Sequence, residues 1–232
     1  VLSAGAGLSS CSVLAARTCR LLFMRKPAMT MAAIKAAETL RQSGVEDAGS
    51  HILLIDKNER LGRKIYLTGK GRCNITNMRP WSEFATHIHP NQEFLKHAFH
   101  AFSNADVSRF FEEAGVPVTL QQGQRLFPAS MKASDVAQAL EGRVRSLGVR
   151  VEVRAAALED VKAEPAVIIA TGGKSYPVTG STGDGYTFAK SLGHTVTTPK
   201  ASLVPLETVE KELFSMQGLS LKNTGLKVVD PE

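Results

Sequence analysis

The residues best suited to chemistry lie between Ile52 and Asn77. Four apolar residues, Ile52 to Ile55, end in an acid, Asp56. A run this short, β-branched at both ends, reads as a buried strand of a parallel sheet. At the tip of the second strand of a dinucleotide-binding fold, a carboxylate offers two oxygens to the vicinal hydroxyls of an adenosine ribose. Lys57, Arg60, Gly62, Arg63 and Lys64 then place cations and bare backbone where a pyrophosphate would lie. Gly69, Gly71, Arg72, Cys73, Asn74, Thr76 and Asn77 follow as a loop rich in hydrogen-bond donors and short of bulk, able to lie against a flat, polar-edged ring. The same residues also fit a glycine-rich surface loop after an ordinary strand.

Two further blocks agree in kind. An apolar run at residues 166–170 delivers Thr171, Gly172 and Gly173, and Lys174, Ser175 and Tyr176 lead on to Gly183, Asp184 and Gly185. Between them, residues 125–135 read Arg-Leu-Phe-Pro-Ala-Ser-Met-Lys-Ala-Ser-Asp. The Arg-Leu-Gly-Arg-Lys run with Thr-Gly-Lys-Gly-Arg-Cys-Asn-Ile-Thr-Asn, taken with these blocks, resembles the bacterial FAD- and NAD(P)-dependent oxidoreductases of the aminoacetone oxidase-like and bile-acid 3-oxo-Δ4,6-reductase-like kind. Three ordered blocks are far more specific than one Gly-rich loop. The resemblance runs from residue 31 to the end of the chain.

The resemblance implies an α/β fold: an FAD-binding dinucleotide domain, a parallel sheet with flanking helices, followed by the start of an inserted β-domain. It implies FAD held by Asp56, Lys57, Gly62, Arg63, Lys64, Gly71, Arg72, Cys73, Asn74, Thr76, Asn77, Thr171, Gly172, Gly173, Tyr176, Gly183, Asp184 and Gly185. NAD(P)H is the implied electron donor, and the substrate a small carbonyl, enone or amine compound. No catalytic side chain is assigned, because a flavin carries hydride chemistry itself. Lys70 departs from the family, which usually has a third glycine there. Residues 183–190 read as a tight turn feeding a helix that ends at Gly193, similar to turns in fumarate-reductase-like flavoproteins. Its N–H groups suit a flavin or a carbonyl oxygen gaining charge, although Asp184 could equally be an ordinary cap.

The expected phosphate-binding start is altered. A dinucleotide fold should open with a strand, Gly-x-Gly-x-x-Gly and a helix. Laid on that pattern, the glycine positions hold Met24, Arg25, Lys26 and Met29, and only Pro27, Ala28 and the helix at Ala32-Ala33-Ile34 are kept. Side chains there would occupy the space of the phosphates. Gly5-Ala-Gly lies too far upstream of Asp56 to replace them. Residues 1–30 therefore read as a transit-like or aberrant segment, 31–200 as a partial FAD domain, and 201–232 as the opening of the β-domain. That division implies an incomplete chain that is colourless and prone to aggregate by itself. Its alternative function is a nucleotide-binding remnant that no longer holds flavin.

Between these blocks the periodicity predicts helices over 31–41, 91–101, 106–114 and 135–147, the last capped by Ser134 with Val136, Leu140, Val144 and Leu147 as its buried stripe. Strands are predicted at 116–122, 124–128, 149–153, 158–164 and 166–170. Composition adds the remaining bounds. A 43% hydrophobic content supports a packed core. No apolar run approaches the length of a membrane span. Cys11, Cys19 and Cys73 are too scattered for a disulfide framework, which points to a reducing, cytoplasmic setting, or an organelle if the first segment is a transit peptide. Five of the 28 lysines and arginines lie in residues 1–37 without an acid, leaving 23 against 22 acids elsewhere. The net charge of +6 therefore gives no motive for nucleic-acid binding. His87, His89, His97 and His100 read as surface or half-buried side chains, and no metal is expected. Cys73, beside Arg72, is either a thiol of lowered pKa or a small packing residue.

Overall fold

The computed structural model describes residues 21–24, 27–154, 166–175 and 177–200, with residues 215, 216, 219, 225 and 227. The chain divides into two units, 1–196 and 197–232. The predicted strand at 158–164, Tyr176, and the β-domain strands expected after residue 200 lie outside the described residues.

In the first unit, β1 (Leu21–Met24), β2 (Ile52–Asp56), β6 (Arg150–Val153) and β7 (Ala166–Ile169) form one parallel sheet in the order β6-β2-β1-β7. β2 is the buried strand the sequence predicts: Ile52 and Leu54 are fully enclosed, and Asp56 is only 2% exposed. Among the described residues β7 pairs with β1 alone, and its residues are half-buried, so it is less enclosed than its Ala-Val-Ile-Ile sequence suggests. The strand at Leu21–Met24 is a correction. It sits between β2 and β7 and survives beside the altered glycine positions, because a parallel ladder needs only an extended backbone on both neighbours.

Helix α1 (Pro27–Gln42) begins four residues earlier than the apolar pattern indicates. Proline at the first helical position lacks an N–H that would have no partner anyway, and its fixed φ suits the helix. Met29, Ala33 and Ala37 repeat every fourth residue and are buried, with Ile34 beside them. Met29 joins the hydrophobic core. It therefore does not stand in the phosphate space, as its alignment with a fingerprint glycine implied.

Helix α5 (Ala133–Ser146) packs on α1 and buries Val136, Leu140 and Val144, with Leu147 just beyond its end. Ser134 is not its cap. Lys132 holds the N-cap position without a side-chain bond, and the Ser130 and Ser134 hydroxyls donate to the Asp135 carboxylate at 2.6 and 3.0 Å. Glu38 of α1 accepts from Arg143 of α5 at 2.7 Å and from Lys35 at 2.9 Å. Burial opposes its charge, yet these two bonds hold the Glu38 carboxyl below its ordinary value. Gly49, in the turn before β2, lies against the end of α5: a Cβ there would meet the Leu147 carbonyl oxygen at 2.0 Å.

Between β2 and α5 the chain builds a second layer. β3 (Thr76–Asn77), β5 (Arg125–Pro128) and β4 (Val118–Gln121) form an antiparallel sheet. α2 (Trp81–Phe84), α3 (Glu93–Ala101) and α4 (Asn104–Glu113) intervene. Ser103 caps α4 in a reciprocal box with Asp106. α6 (Asp184–Ser191) closes the described fold, with Gly183 at its N-cap (φ 87°) and Gly193 (φ 85°) just past its end.

Candidate functional site

The predicted residues fall into two groups. The first gathers at the carboxyl ends of the parallel strands, where open α/β sheets bind ligands. Asp56 Oδ1 accepts from the Asn58 backbone N–H at 2.9 Å and from its side-chain amide at 2.8 Å. This local turn holds the buried carboxylate in one orientation. Lys57 reaches across to α6, where its ammonium donates to Thr182 Oγ1 at 3.1 Å and pairs with Asp184 Oδ2 at 3.5 Å. Thr182 also donates to Asp184 Oδ1. Asp184 is thus in the first turn, and Gly183 holds the cap position.

Thr171, Gly172 and Gly173 meet the same helix start. Thr171 is buried, and a Cβ on Gly185 would stand 2.2 Å from its Oγ1. Gly173 lies near the Tyr186 hydroxyl. Only a glycine at 185 lets the helix approach this closely. A cleft of about 450 Å³ opens beside this group, lined by Lys57, Asn58, Glu59, Arg63, Arg154, Pro177, Val178 and Gly180.

The second group is the 62–77 loop. Gly62 (φ 71°) starts it and packs towards Ile65 and Ala137, and Lys64 precedes a 3-10 turn over Ile65–Gly71. Gly69, Lys70, Gly71 and Cys73 all have left-handed backbone, at φ 58°, 57°, 83° and 60°. Lys70 therefore adopts a left-handed backbone that glycine takes without a steric penalty. The donors expected to face a ring are largely used to pin the loop. With its amide turned to satisfy both neighbours, Asn74 donates to the Leu126 and Thr76 carbonyls. Thr76 and Asn77 pair with β5, and the Asn77 amide donates to the Gly123 carbonyl at 2.9 Å. Arg72 Nε donates to the Gly69 carbonyl, and its guanidinium lies 5.1 Å from the Phe127 ring centroid.

Cys73 is buried, and that burial pushes its thiol pKa up, with a Thr68 hydrogen bond acting the other way. The lowered-pKa alternative is overturned: Arg72 is engaged by Gly69 and Phe127. Two of the four histidines make local contacts. His87 Nε2 lies 2.9 Å from Arg79, and the His100 ring packs on Trp81 and Phe99. Among the described residues no three or more His, Cys, Asp or Glu side chains cluster to hold a metal.

Sequence reasoning passed over Asn58, Thr182 and Arg154. Asn58, two residues after an acid, fits a local turn, and Arg154 follows the strand beside β2, at the binding end of the sheet. Either signal could have found them. Thr182 opens the Thr-Gly-Asp-Gly turn at 182–185, and that motif is the signal that could have singled it out.

An adenine dinucleotide fits this arrangement at its ribose end, where a buried, oriented carboxylate ends β2. The sheet order, the crossover helix after β1 and that acid define a Rossmann-type dinucleotide-binding protein. The family model described as HI0933-like protein Rossmann domain matches residues 27–224. The chain belongs to this family, a group of FAD-dependent Rossmann proteins. It is 32% identical over 199 residues to the 3-dehydro-bile acid delta(4,6)-reductase of Clostridium scindens, covering 80% of this chain and 46% of that protein. It is 28% identical over 196 residues to the ribosomal RNA dihydrouridine synthase of Haemophilus influenzae, covering 76% of this chain and 48% of that one. The protein of that name in Escherichia coli is 30% identical over 181 residues, covering 72% and 44% respectively. The chain spans about half the length of the curated relatives it matches. A solved 3-ketosteroid-delta4-(5alpha)-dehydrogenase from Rhodococcus jostii RHA1, in complex with 4-androstene-3,17-dione, overlaps at a TM-score of 0.41 and 13% identity, covering 66% of this chain and 45% of that one. Among the described residues no helix is long and apolar enough to cross a membrane.

Proposed function

We propose that this chain carries the dinucleotide-binding part of an FAD-dependent oxidoreductase that reduces a carbon–carbon double bond conjugated to a carbonyl, with NAD(P)H as electron donor. The observation that carries the reading is Asp56, buried at the tip of β2 and oriented by Asn58. When bound, FAD supplies the hydride chemistry. Asp56 receives the ribose hydroxyls, and the left-handed backbone at Gly69, Lys70 and Gly71 lets main chain approach a flat ring.

The names of the relatives favour the enone among the substrate classes considered. A delta(4,6)-reductase acting on a 3-oxo steroid and an enzyme forming dihydrouridine both saturate a double bond conjugated to a carbonyl. Such a reduction places a hydride on the β-carbon and a proton on the α-carbon, and the carbonyl oxygen bears the charge in between. The N–H groups opening α6 suit that oxygen, because Lys57 offsets the nearby Asp184 carboxylate.

Titrating the purified chain with FAD, followed by flavin absorbance and fluorescence, tests the reading. Asp56→Ala should weaken binding by about 2 to 3 kcal/mol, the value of lost hydrogen bonds to a charged group. Asp56→Glu should be milder. Unchanged affinity in Asp56→Ala removes the assigned role of Asp56, and a chain that binds no FAD favours the non-catalytic alternative.

A second substrate reading rests on charge. From Arg60 to Ser82 the chain carries six cations, Arg60, Arg63, Lys64, Lys70, Arg72 and Arg79, and no acid. The near balance of charge outside residues 1–37 conceals this local excess, which suits a uracil within RNA better than a free steroid. RNA binding that weakens steeply with salt supports it, and salt-independent or absent binding favours the small molecule.

A further inference from the structure

Lys57 joins two parts of the site that lie 125 residues apart in the chain. Its ammonium donates to Thr182 Oγ1 at 3.1 Å and pairs with Asp184 Oδ2 at 3.5 Å, in a contact where the Lys57 and Asp184 side chains are 23% and 29% exposed. Thr182 closes the triangle by donating to Asp184 Oδ1. The stem of Lys57 is held as well. A Cβ on Gly180 would stand 3.1 Å from Lys57 Cε and 3.4 Å from each polar atom of the Asn58 amide. From there to the helix the chain is tied to itself, Gly180 N–H donating to the Pro177 carbonyl at 2.8 Å and Thr182 N–H to the Gly180 carbonyl at 3.0 Å. The turn thus leaves little slack between Lys57 and α6.

The sheet order gives this contact its meaning. β2, which delivers Asp56 and Lys57, and β7, which leads to Thr171 and α6, pair with opposite sides of β1. Lys57 therefore links the ends of the two strands that flank β1, at the end of the sheet where open α/β folds bind ligands. On one side Asp56 and Asn58 fix the turn from which Lys57 projects. On the other, Thr171 lies against Gly185 of α6. A ligand that immobilises the 56–58 turn takes freedom from Lys57, and Lys57 in turn holds the first turn of α6.

We propose that Lys57 is a positioning residue: a ribose seated on Asp56 tightens the start of α6 through Lys57, so that the adenosine half of the cofactor readies the N–H groups offered to the substrate carbonyl. The inference rests on the reading that Asp56 receives the adenosine ribose of FAD. It gives Lys57 a task other than neutralising a pyrophosphate, because Thr182 and Asp184 already engage its ammonium. Coupling of this kind is a free energy between two sites, carried here by one contiguous chain of contacts. Partial burial keeps the ion pair from being fully screened.

Hydrogen–deuterium exchange of the full chain, with and without saturating 5′-ADP, tests it. The readout is the α6 amides, among them Tyr186, whose N–H donates to the Gly183 carbonyl at 3.0 Å. In the native protein 5′-ADP should slow their exchange by about fivefold or more. Lys57→Met should abolish that ligand-dependent slowing, and Lys57→Arg should restore it. A merely structural lysine would alter α6 exchange equally with and without 5′-ADP. Asp184→Asn cuts the contact from its other end and should lose the same response, which keeps the test decisive if Lys57→Met fails to fold. Slowing that persists in Lys57→Met or Asp184→Asn, or that is absent from the native chain with 5′-ADP bound, overturns the proposal and leaves the nucleotide reading standing. A native chain that binds no 5′-ADP overturns both.

Discussion

Gly185→Ala should change the sign of its effect with the residue at position 171. A Cβ at 185 would stand 2.2 Å from Thr171 Oγ1, whereas the next nearest atoms, Thr171 Cβ and Ile169 Cγ2, are at 3.5 and 3.6 Å. The first distance forces a shift in a buried side chain, and the other two are ordinary contacts. In the native background the substitution should cost about 1 to 3 kcal/mol, the usual range for overpacking. Thr171→Ala removes the offending oxygen and leaves the 3.5 Å contact. Alanine at 185 should then recover part of its helix propensity over glycine, up to about 1 kcal/mol in α6. Gly185→Ala should therefore destabilise the native chain and stabilise, or leave unchanged, the Thr171→Ala chain. Urea unfolding of the four proteins of this cycle, without cofactor, measures the coupling directly. Equal destabilisation in both backgrounds would falsify the packing of the Thr171 loop against α6.

Lys70→Gly should raise stability by about 0.5 to 1 kcal/mol, because the left-handed backbone at φ 57° penalises lysine more than the extra unfolded freedom penalises glycine; an unchanged or lower urea midpoint contradicts it. The Glu38 carboxyl is held below its ordinary value of 4.5, so below that pH the unfolded chain takes up the proton first and stability falls as pH drops through the folded value. Glu38→Gln should flatten that acid limb in thermal melts, and an unaltered slope excludes Glu38 as a contributor. Cys73 should react slowly with iodoacetamide at pH 8 in native protein and quickly in urea, as its burial and raised pKa require; peptide mapping reads it, and equal rates contradict the buried loop.

The parts of the fold that follow from local pattern were legible in the sequence. Ile52 to Asp56 declare a buried strand with an acid at its tip, and Val136, Leu140, Val144 and Leu147 declare a buried face. Gly183 and Gly193 mark the limits of α6 because each needs a left-handed backbone just outside a helix. Other features depend on contacts that no local pattern encodes. Lys57 meets Thr182 and Asp184 across more than a hundred residues, so its partner could not be inferred from its neighbours. Met29 looked obstructive beside a glycine fingerprint, yet the tertiary fold gives it a place in the core. Cys73 looked activated because Arg72 precedes it. Sequence adjacency says nothing about direction, and Phe127 and the Gly69 carbonyl take up that guanidinium.

The close approach of Gly49 to the end of α5 has a consequence at the opposite end of the sheet. Leu147 and Gly148 introduce β6, and Gly49 introduces β2, so this contact sets the relative starting height of two neighbouring strands. The pairing of Leu53 with Arg150 carries that alignment to Asp56 and Val153 without slippage. A residue rises about 3.3 Å along a strand, so the Asp56 carboxylate and the origin of Arg154 are levelled from a point roughly 15 Å below them. Any side chain at position 49 would act as a shim under one strand. It would offset the two groups vertically while leaving every residue of the cleft chemically intact.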